Sequence, residues 1–258
     1  MAPSRIVFLG GNGHCAGRLA AGRRALSEEG LELADIPYPG FEGRARAADL
    51  EGFLGSVAHE LAAGGGADLV YATGIGGLIA LCLRAKDGRP DVPLLLQAPV
   101  LWGLERRLLP RIMRLPWARA AARRLFAWSS FQRRFLRRHF LKPPPAEVQA
   151  AFFDGYARCG AFPDLFAWFT PARLRRLERD LAARPAALRD VAVWWGGRDR
   201  VVAPRELRWS EQALGTTWPL RIFPDWGHYP MIDEPGAWAR ALAGVVKGIE
   251  FASAGGGR

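Results

Sequence analysis

Apolar and polar residues form blocks along the chain, and most apolar blocks end at a turn signal. Longer segments carry apolar residues at three- and four-residue intervals, the spacing of one helix face. They predict helices at residues 15–28, 49–63, 204–214 and 236–250, and from Gly77 to about Arg84. Short, largely apolar runs predict strands at residues 5–9, which reads as buried, and at residues 31–36, 67–72, 92–98, 191–195 and 220–223.

Strands that alternate with helices are typical of a parallel sheet covered on both faces, because parallel strands need crossover connections. We therefore expect an α/β fold with a doubly wound, mostly parallel sheet. The alternation is interrupted between the fourth and fifth strands, where residues 100–190 show mostly helical spacing. The predicted organisation is a core of residues 1–99 and 191–251, a helical insertion of residues 100–190, and a flexible Gly-rich tail of residues 252–258.

Charge also sets the insertion apart. Residues 100–190 hold 19 Lys/Arg, 7 Asp/Glu and 14 of the 28 aromatic residues, whereas the remainder holds 17 basic and 18 acidic residues. The net charge of +11 thus comes from this segment. Between residues 125 and 140, arginines interleave with apolar positions that fall near one face of a helix. These are Leu125, Trp128, Phe131, Phe135 and Leu136.

Three interpretations of this basic insertion stay open. It is a solvated cationic helix whose apolar face closes a pocket, or it docks an acidic carrier protein or an anionic membrane surface. Nucleic acid is the third partner, and no recognised binding motif accompanies the charge.

Several classes of protein are disfavoured. The longest apolar stretch, residues 92–104, is interrupted by prolines and falls short of the ~20 residues that a spanning helix needs. The first residues run directly into a predicted strand without a signal-peptide pattern, so a cytoplasmic location is expected. Cys15, Cys82 and Cys159 are too widely spaced to indicate a disulfide framework or a zinc site. No metal or cofactor is expected.

Polar and small residues follow directly after several predicted strands. Asn12, Gly74, Asp199 and His228 all occupy such positions. Because ligands of parallel sheets bind beyond the carboxyl ends of the strands, we expect these four residues to meet at one edge.

Four motifs carry a family resemblance. IVFLGGNGH (6–14), LVYATGIGGLIAL (69–81), WGGRDRVVAP (195–204) and GHYPMIDEP (227–235) resemble the oxyanion loop, nucleophile elbow, acid loop and histidine loop of the α/β-hydrolase superfamily. The elbow usually reads Gly-x-Ser-x-Gly-Gly. Alignment on Gly76 and Gly77 places Gly74 where that family has its serine. In the oxyanion loop, Gly10 stands where the family usually has a histidine.

The resemblance implies a role for each position. It implies a helical cap in residues 100–190, His228 as base, Asp199 as the residue that orients it, and an oxyanion site made by the backbone N–H groups of Asn12 and Ile75. Neighbouring residues are candidates for the pocket wall: His14, Cys15, Thr73 and Tyr229.

The glycine leaves three chemical interpretations open. An elbow residue is held in a strained conformation that glycine adopts at little cost, so Gly74 keeps the turn and removes the nucleophile. His228 then activates a water for attack on an ester or thioester, or it abstracts a substrate proton in a cofactor-free lyase or isomerase. In the third interpretation, Cys15 or Thr73 supplies the nucleophile. The expected substrate is small and apolar or acyl.

Two further functions remain as alternatives. One is a catalytically inactive hydrolase-fold binding protein. The other is an NAD-dependent oxidoreductase, because Gly11-x-Gly13-x-x-Ala16 fits the dinucleotide fingerprint and Asp35 lies where a ribose partner would be. The second alternative leaves the histidine loop unexplained.

Overall fold

A computed structural model describes residues 4–12, 14–87, 92–158 and 160–248; Gly13, Cys159 and the predicted tail lie outside these ranges. Six strands form one sheet in the order β2-β1-β3-β4-β5-β6, and all neighbouring strands are parallel. The strands are β1 Ser4–Leu9, β2 Leu31–Asp35, β3 Leu69–Thr73, β4 Leu94–Gln97, β5 Val191–Gly196 and β6 Leu220–Phe223. The parallel sheet with its flanking helices confirms the predicted fold class.

Twelve α-helices lie in the described ranges, and the predicted helices 15–28 and 204–214 each begin with a 3₁₀ turn. None of these helices combines the length and the apolarity needed to cross a bilayer. Their bounds are α1 Ala20–Glu28, α2 Leu50–Ala63, α3 Gly76–Asp87, α4 Leu108–Ile112, α5 Pro116–Ala127, α6 Ser129–Leu136, α7 Ala146–Ala157, α8 Phe162–Trp168, α9 Pro171–Ala182, α10 Leu207–Leu214, α11 Pro230–Asp233 and α12 Pro235–Val246.

The inner strands β1, β3, β4 and β5 are largely buried on both faces, which explains why they are mainly apolar runs. The edge strands β2 and β6 are partly exposed. Ile6 and Phe8 of β1 pack in a core that includes side chains of α1 and α12. Val7 and Leu9 point to the opposite core, which includes side chains of α2 and α3. At the first face, Trp238 Nε1 donates a hydrogen bond to the Tyr71 hydroxyl at 3.0 Å. The sheet is therefore fixed from both sides.

The carboxyl edge of the sheet is tied together where the strands end. β4 ends before Ala98, one residue earlier than predicted, because Ala98 has a φ of 42° and leaves the extended conformation. Its N–H donates to the Trp194 carbonyl at 2.9 Å, and the Gly74 N–H donates to the Gln97 carbonyl at 3.2 Å. These bonds connect the ends of β3, β4 and β5.

The inserted segment contains α4 to α9. The last of these helices, α9, packs on α3 and α10, which flank the sheet, and buries Leu174, Leu177 and Leu181. The end of the predicted cap therefore packs with the core layer.

The prediction of one helix across residues 125–140 is wrong. The chain is extended at Trp128, with φ −89° and ψ 112°, so α5 ends at Ala127 and α6 starts at Ser129. Gln132 stabilises the break, because its side-chain amide donates to the Phe126 carbonyl and, at 3.2 Å, to the Phe153 carbonyl. Leu125 and Trp128 consequently stay exposed, whereas the Phe131 ring packs on Phe126.

Candidate active site

The loops after β5 and β6 run side by side at the carboxyl edge. The Gly197 N–H donates to the Phe223 carbonyl at 2.8 Å, and the Arg198 N–H donates to the Trp226 carbonyl at 2.9 Å. A Cβ at Gly196 would overlap the backbone of Trp226, so only glycine permits this approach. The two backbones hold Asp199 and His228 at neighbouring positions.

His228 and Asp199 form a hydrogen-bonded pair. His228 Nδ1 lies 2.8 Å from Asp199 Oδ2, and the Asp199 side chain is fully buried. Asp199 Oδ1 accepts the backbone N–H groups of Val201 at 2.7 Å and Val202 at 3.0 Å. Burial alone would raise the pKa of Asp199, but His228 and these hydrogen bonds outweigh it and lower that pKa below its ordinary value. An ionised carboxylate can only accept, so Nδ1 carries the hydrogen and Nε2 is left to take a proton.

Gly74 occupies a tight strand-to-helix turn between β3 and α3. Its φ is 54°, in the left-handed region that favours glycine. A Cβ at this position would meet only the Gly11 Cα, at 3.8 Å, so the turn has room for a side chain on the cavity side. Two residues on, a Cβ at Gly76 would overlap the backbone carbonyl of Leu9. Because glycine has no Cβ, α3 can lie close against the end of β1.

A cavity of about 370 Å³ opens over this turn. His228 and Gly74 both line it, and most of its remaining wall is apolar. The other residues of the wall are Gly11, Asn12, Thr73, Ile75, Val100, Arg107, Leu108, Leu109, Pro110, Tyr156, Phe166, Val201, Val202 and Tyr229. Of the predicted pocket residues, Thr73 and Tyr229 therefore lie in the wall, together with both residues of the predicted oxyanion site.

The predicted oxyanion residues lie on either side of the turn. Ile75 directly precedes α3, so its N–H group is at the positive end of that helix. The loop that carries Asn12 is fixed by Thr73, whose Oγ1 accepts the Gly11 N–H at 3.1 Å. Thr73 is thus turned toward the backbone of the oxyanion loop.

His14 and Cys15 were expected in the pocket wall, and the structure places both elsewhere. His14 Nε2 lies 2.7 Å from Asp35 Oδ1, and the Cys15 thiol donates to the Ala151 carbonyl at 3.1 Å. Burial raises the pKa of the Cys15 thiol, so this cysteine is poorly suited to act as a nucleophile. A carboxylate and a cap carbonyl, neither recognisable as a partner in the sequence, determine these orientations.

The acidic residue of the dinucleotide fingerprint already has two partners. Asp35 Oδ1 contacts His14, and Asp35 Oδ2 lies 2.7 Å from Arg23 Nη2. Asp35 is therefore engaged within the protein rather than directed at a ribose site. Gly13 of the fingerprint lies outside the described residues.

Two buried residues beside the site were not identified from the sequence. Arg18 is 4% exposed, and its guanidinium carbon lies 3.7 Å from the centre of the Phe152 ring. Its Nη1 reaches the Asn12 carbonyl at 3.4 Å, while Nε and Nη2 have no hydrogen-bond partner among the described residues. His139 is buried with its ring centre 5.7 Å from that of His228. Arg18 falls within a predicted helix, and the sequence pattern there does not indicate that its side chain is buried.

Arg107 brings a charge to the cavity wall, but that charge is compensated. Its Nε and Nη2 contact the two carboxylate oxygens of Glu206 at 3.1 and 2.6 Å. Among the described residues, no group of three or more His, Cys, Asp or Glu side chains could hold a metal ion. The polar residues of the wall other than Arg107 are Asn12, Thr73, Tyr156, His228 and Tyr229.

Comparison with solved structures shows the same fold. An aryl esterase candidate from Burkholderia cenocepacia has a TM-score of 0.72 at 15% identity, covering 96% of this chain and 91% of the other. A loop variant of the haloalkane dehalogenase DbeA from Bradyrhizobium elkanii has a TM-score of 0.68 at 21% identity, covering 98% and 91%. A bacterial membrane phospholipase A has a TM-score of 0.65 at 19% identity, covering 96% and 79%.

No curated protein matches the sequence. A family model described as "Alpha/beta hydrolase family" matches residues 6–241. This range includes β1 from Ile6 onward, the other five strands and all the site loops described above. The chain therefore belongs to the alpha/beta hydrolase family.

Proposed function

We propose that the protein hydrolyses an ester or thioester by direct attack of water, without an acyl-enzyme on a serine. The observation that carries the proposal is the His228–Asp199 hydrogen bond of 2.8 Å beside a cavity wall that also contains Gly74. A base, the residue that orients it and an unobstructed turn thus share one site. The largely apolar wall suits an apolar or acyl substrate.

In the proposed reaction, a water bound beside Gly74 attacks the substrate carbonyl carbon. His228 Nε2 takes a proton from that water, and the negative charge forms on the carbonyl oxygen. The N–H groups of Asn12 and Ile75 donate to this oxyanion, and the buried Asp199 stabilises the imidazolium. Collapse of the tetrahedral intermediate breaks the bond to the leaving group, which receives the proton from His228.

The contacts of the other candidate nucleophiles favour water. The Cys15 thiol points to Ala151 outside the cavity wall, and the Thr73 hydroxyl accepts from the oxyanion loop. Attack by either side chain would break a contact that supports the site. An esterase candidate and a phospholipase among the similar folds make ester substrates a natural first panel.

The test is His228→Ala assayed against p-nitrophenyl esters and acyl thioesters of increasing chain length. Loss of the general base is expected to lower kcat/KM about 10²–10⁴-fold. His59→Ala is the matched control, because His59 is exposed on α2 and should leave turnover unchanged. Acid-quenched samples of the parent protein should show no acyl adduct by intact mass.

Two outcomes would contradict the proposal. One is full activity of the His228→Ala variant, and the other is an acyl adduct on the parent chain. If the parent protein hydrolyses none of these substrates, the result would instead support the alternative function of a catalytically inactive binding protein.

A further inference from the structure

One apolar face of α5 is open to solvent. Trp117, Ala121, Leu125 and Trp128 follow each other at intervals of four, four and three residues, so they lie along one side of this helix and its C-terminal end. Trp117 is 69% exposed and Trp128 is 61% exposed. The side of α5 that contacts the protein is instead formed by Ala118, Ala122 and Phe126. The helix is thus apolar on two sides, and one of them is exposed within the part of the chain that the structure describes.

The exposed face is about 17 Å long, from the helical rise of 1.5 Å per residue. Leu115, which is 45% exposed, directly precedes α5, and Leu108, which is 68% exposed, is the first residue of α4. Single exposed apolar residues are ordinary, but a row of large ones marks an interaction surface.

The charge around this row identifies the partner. Residues 106–146 contain twelve Lys/Arg and not one Asp or Glu. Arg124 is exposed on α5 between Ala121 and Leu125, and Arg111 is exposed on α4. A second copy of the chain would bring two strongly basic surfaces together, so self-association on this face is disfavoured. Tryptophan and leucine beside arginine are instead the composition of helices that lie in the interface of an anionic membrane.

The segment before α5 also contributes to the active-site cavity. Leu108 is exposed on the outer surface and lines the cavity that contains His228 and Gly74. Leu109 and Pro110, at the start of α4, line the same wall. Exposed apolar surface and the apolar cavity wall therefore meet at Leu108.

We propose that the face formed by Trp117, Leu125 and Trp128 docks the protein onto an anionic phospholipid surface, with the cavity mouth at the membrane. The aromatic rings would enter the headgroup region, and the surrounding arginines would contact lipid phosphates. Docking requires only this surface. The delivery of a lipid acyl ester to His228 also depends on the proposed hydrolysis.

The test measures co-sedimentation of the full chain with phosphatidylcholine vesicles containing roughly one third phosphatidylserine. We expect binding, a blue shift of tryptophan emission, and weakening as salt rises from about 0.05 to about 0.5 M. Trp117→Ser combined with Trp128→Ser should reduce partitioning about a hundredfold, because two large apolar side chains no longer enter the interface. Vesicles of pure phosphatidylcholine should bind far more weakly.

Leu220→Ser combined with Ile222→Ser is the matched control, since these exposed apolar residues lie on edge strand β6. This control should bind like the parent. His228→Ala should also bind like the parent, which separates docking from hydrolysis. Turnover of a short soluble ester should be unaffected by the tryptophan substitutions, because neither tryptophan lines the cavity.

Absence of binding to the anionic vesicles would overturn the proposal and leave an acidic protein as the occupant to test. Unchanged binding of the double tryptophan variant would also overturn it, because attraction would then come from charge alone.

Discussion

Because residue 74 has no Cβ, its backbone can adopt a left-handed conformation and the turn carries no side chain. The φ of 54° would cost another residue about 1–2 kcal/mol, whereas glycine adopts it freely. The turn is kept by hydrogen bonds from the Gly74 N–H to the Gln97 carbonyl and from the Val100 N–H to the Gly74 carbonyl, at 3.2 and 2.9 Å. The geometry of the elbow therefore depends on its surroundings, and a serine side chain could be added to it.

Gly74→Ser should create a nucleophile. Its side chain would enter open space on the cavity side, within a wall shared with His228. We expect covalent labelling by a serine-reactive fluorophosphonate, measured by intact mass, in the variant and not in the parent. The variant should lose about 1–2 kcal/mol of unfolding free energy from the left-handed backbone.

Gly30→Ser is the matched control for that variant. Gly30 lies in the turn before β2 and also has a positive φ, of 74°, and a Cβ there would have no other atom within 4 Å. This control should lose similar stability and remain unlabelled. An unlabelled Gly74→Ser protein that still folds would argue against the alignment of the elbow.

Residues 10 and 14 show what sequence reasoning could and could not find. The motif aligned Gly10 with a position that is usually histidine, but it gave no orientation for His14. A Cβ at residue 10 would overlap the His14 ring, so that ring fills the adjacent space and is held there by Asp35. The orientation of His14 depends on a hydrogen bond between the loop after β1 and the last residue of β2, which local sequence patterns do not encode.

At the scale of elements, the cap is anchored to the core beside the histidine loop. The Leu141 N–H approaches the two Asp233 carboxylate oxygens at 3.2 and 3.4 Å, and Lys142 pairs with Glu234 at 3.1 Å. Just before this segment, His139 packs against His228. The position of His228 and the position of the inserted segment are therefore linked through α11.

Asp233 should make this anchor sensitive to pH. Burial is the main cause that raises its pKa from 3.8 to about 6 in the folded protein. A raised pKa means that the folded state favours the protonated carboxyl, so its stabilising contribution is complete below about pH 4 and lost as pH rises through about 6. Asp233→Asn cannot titrate. We expect the parent to lose unfolding free energy relative to this variant over that window.

Chemical denaturation of both proteins from about pH 4 to about pH 8 measures the effect. Other titrating groups are common to the two chains, so the difference between their curves isolates residue 233. Curves that run parallel across the whole range would contradict the prediction.

The elements themselves were predictable to different degrees. Strands β1, β3, β4 and β5 were predictable because burial on both faces makes each of them mainly an apolar run. The edge strands β2 and β6 carry charged and exposed positions, and they were predictable from their place in the alternation of strands and helices. The break at Trp128 was missed because a side chain from α6, Gln132, stabilises it by reaching back to Phe126. Helical spacing alone continues through that position. Tertiary hydrogen bonds therefore decided where the cap helices end.

At the scale of the whole molecule, the basic excess is compensated only in places. Asp164 alone serves Arg119, Arg123 and, at 3.5 Å, Arg46. Arg133, Arg134 and Arg137 are exposed in the same insertion. The folded cap holds these charges closer together than an expanded chain does, so their repulsion opposes folding.

The unfolding free energy should consequently rise with salt. Screening between about 0.02 and about 0.3 M NaCl shortens the reach of the repulsion, and we expect a gain of about 1 kcal/mol at pH 7 in urea denaturation. Arg133→Gln combined with Arg137→Gln should flatten this dependence, because it removes two exposed charges from the basic insertion. Arg24→Gln is the control, since Arg24 is exposed on α1, where the surrounding sequence is balanced in charge, and it should leave the slope unchanged. A parent protein that weakens as salt rises would mean that its ion pairs, including those of Asp164, outweigh the repulsion in the cap.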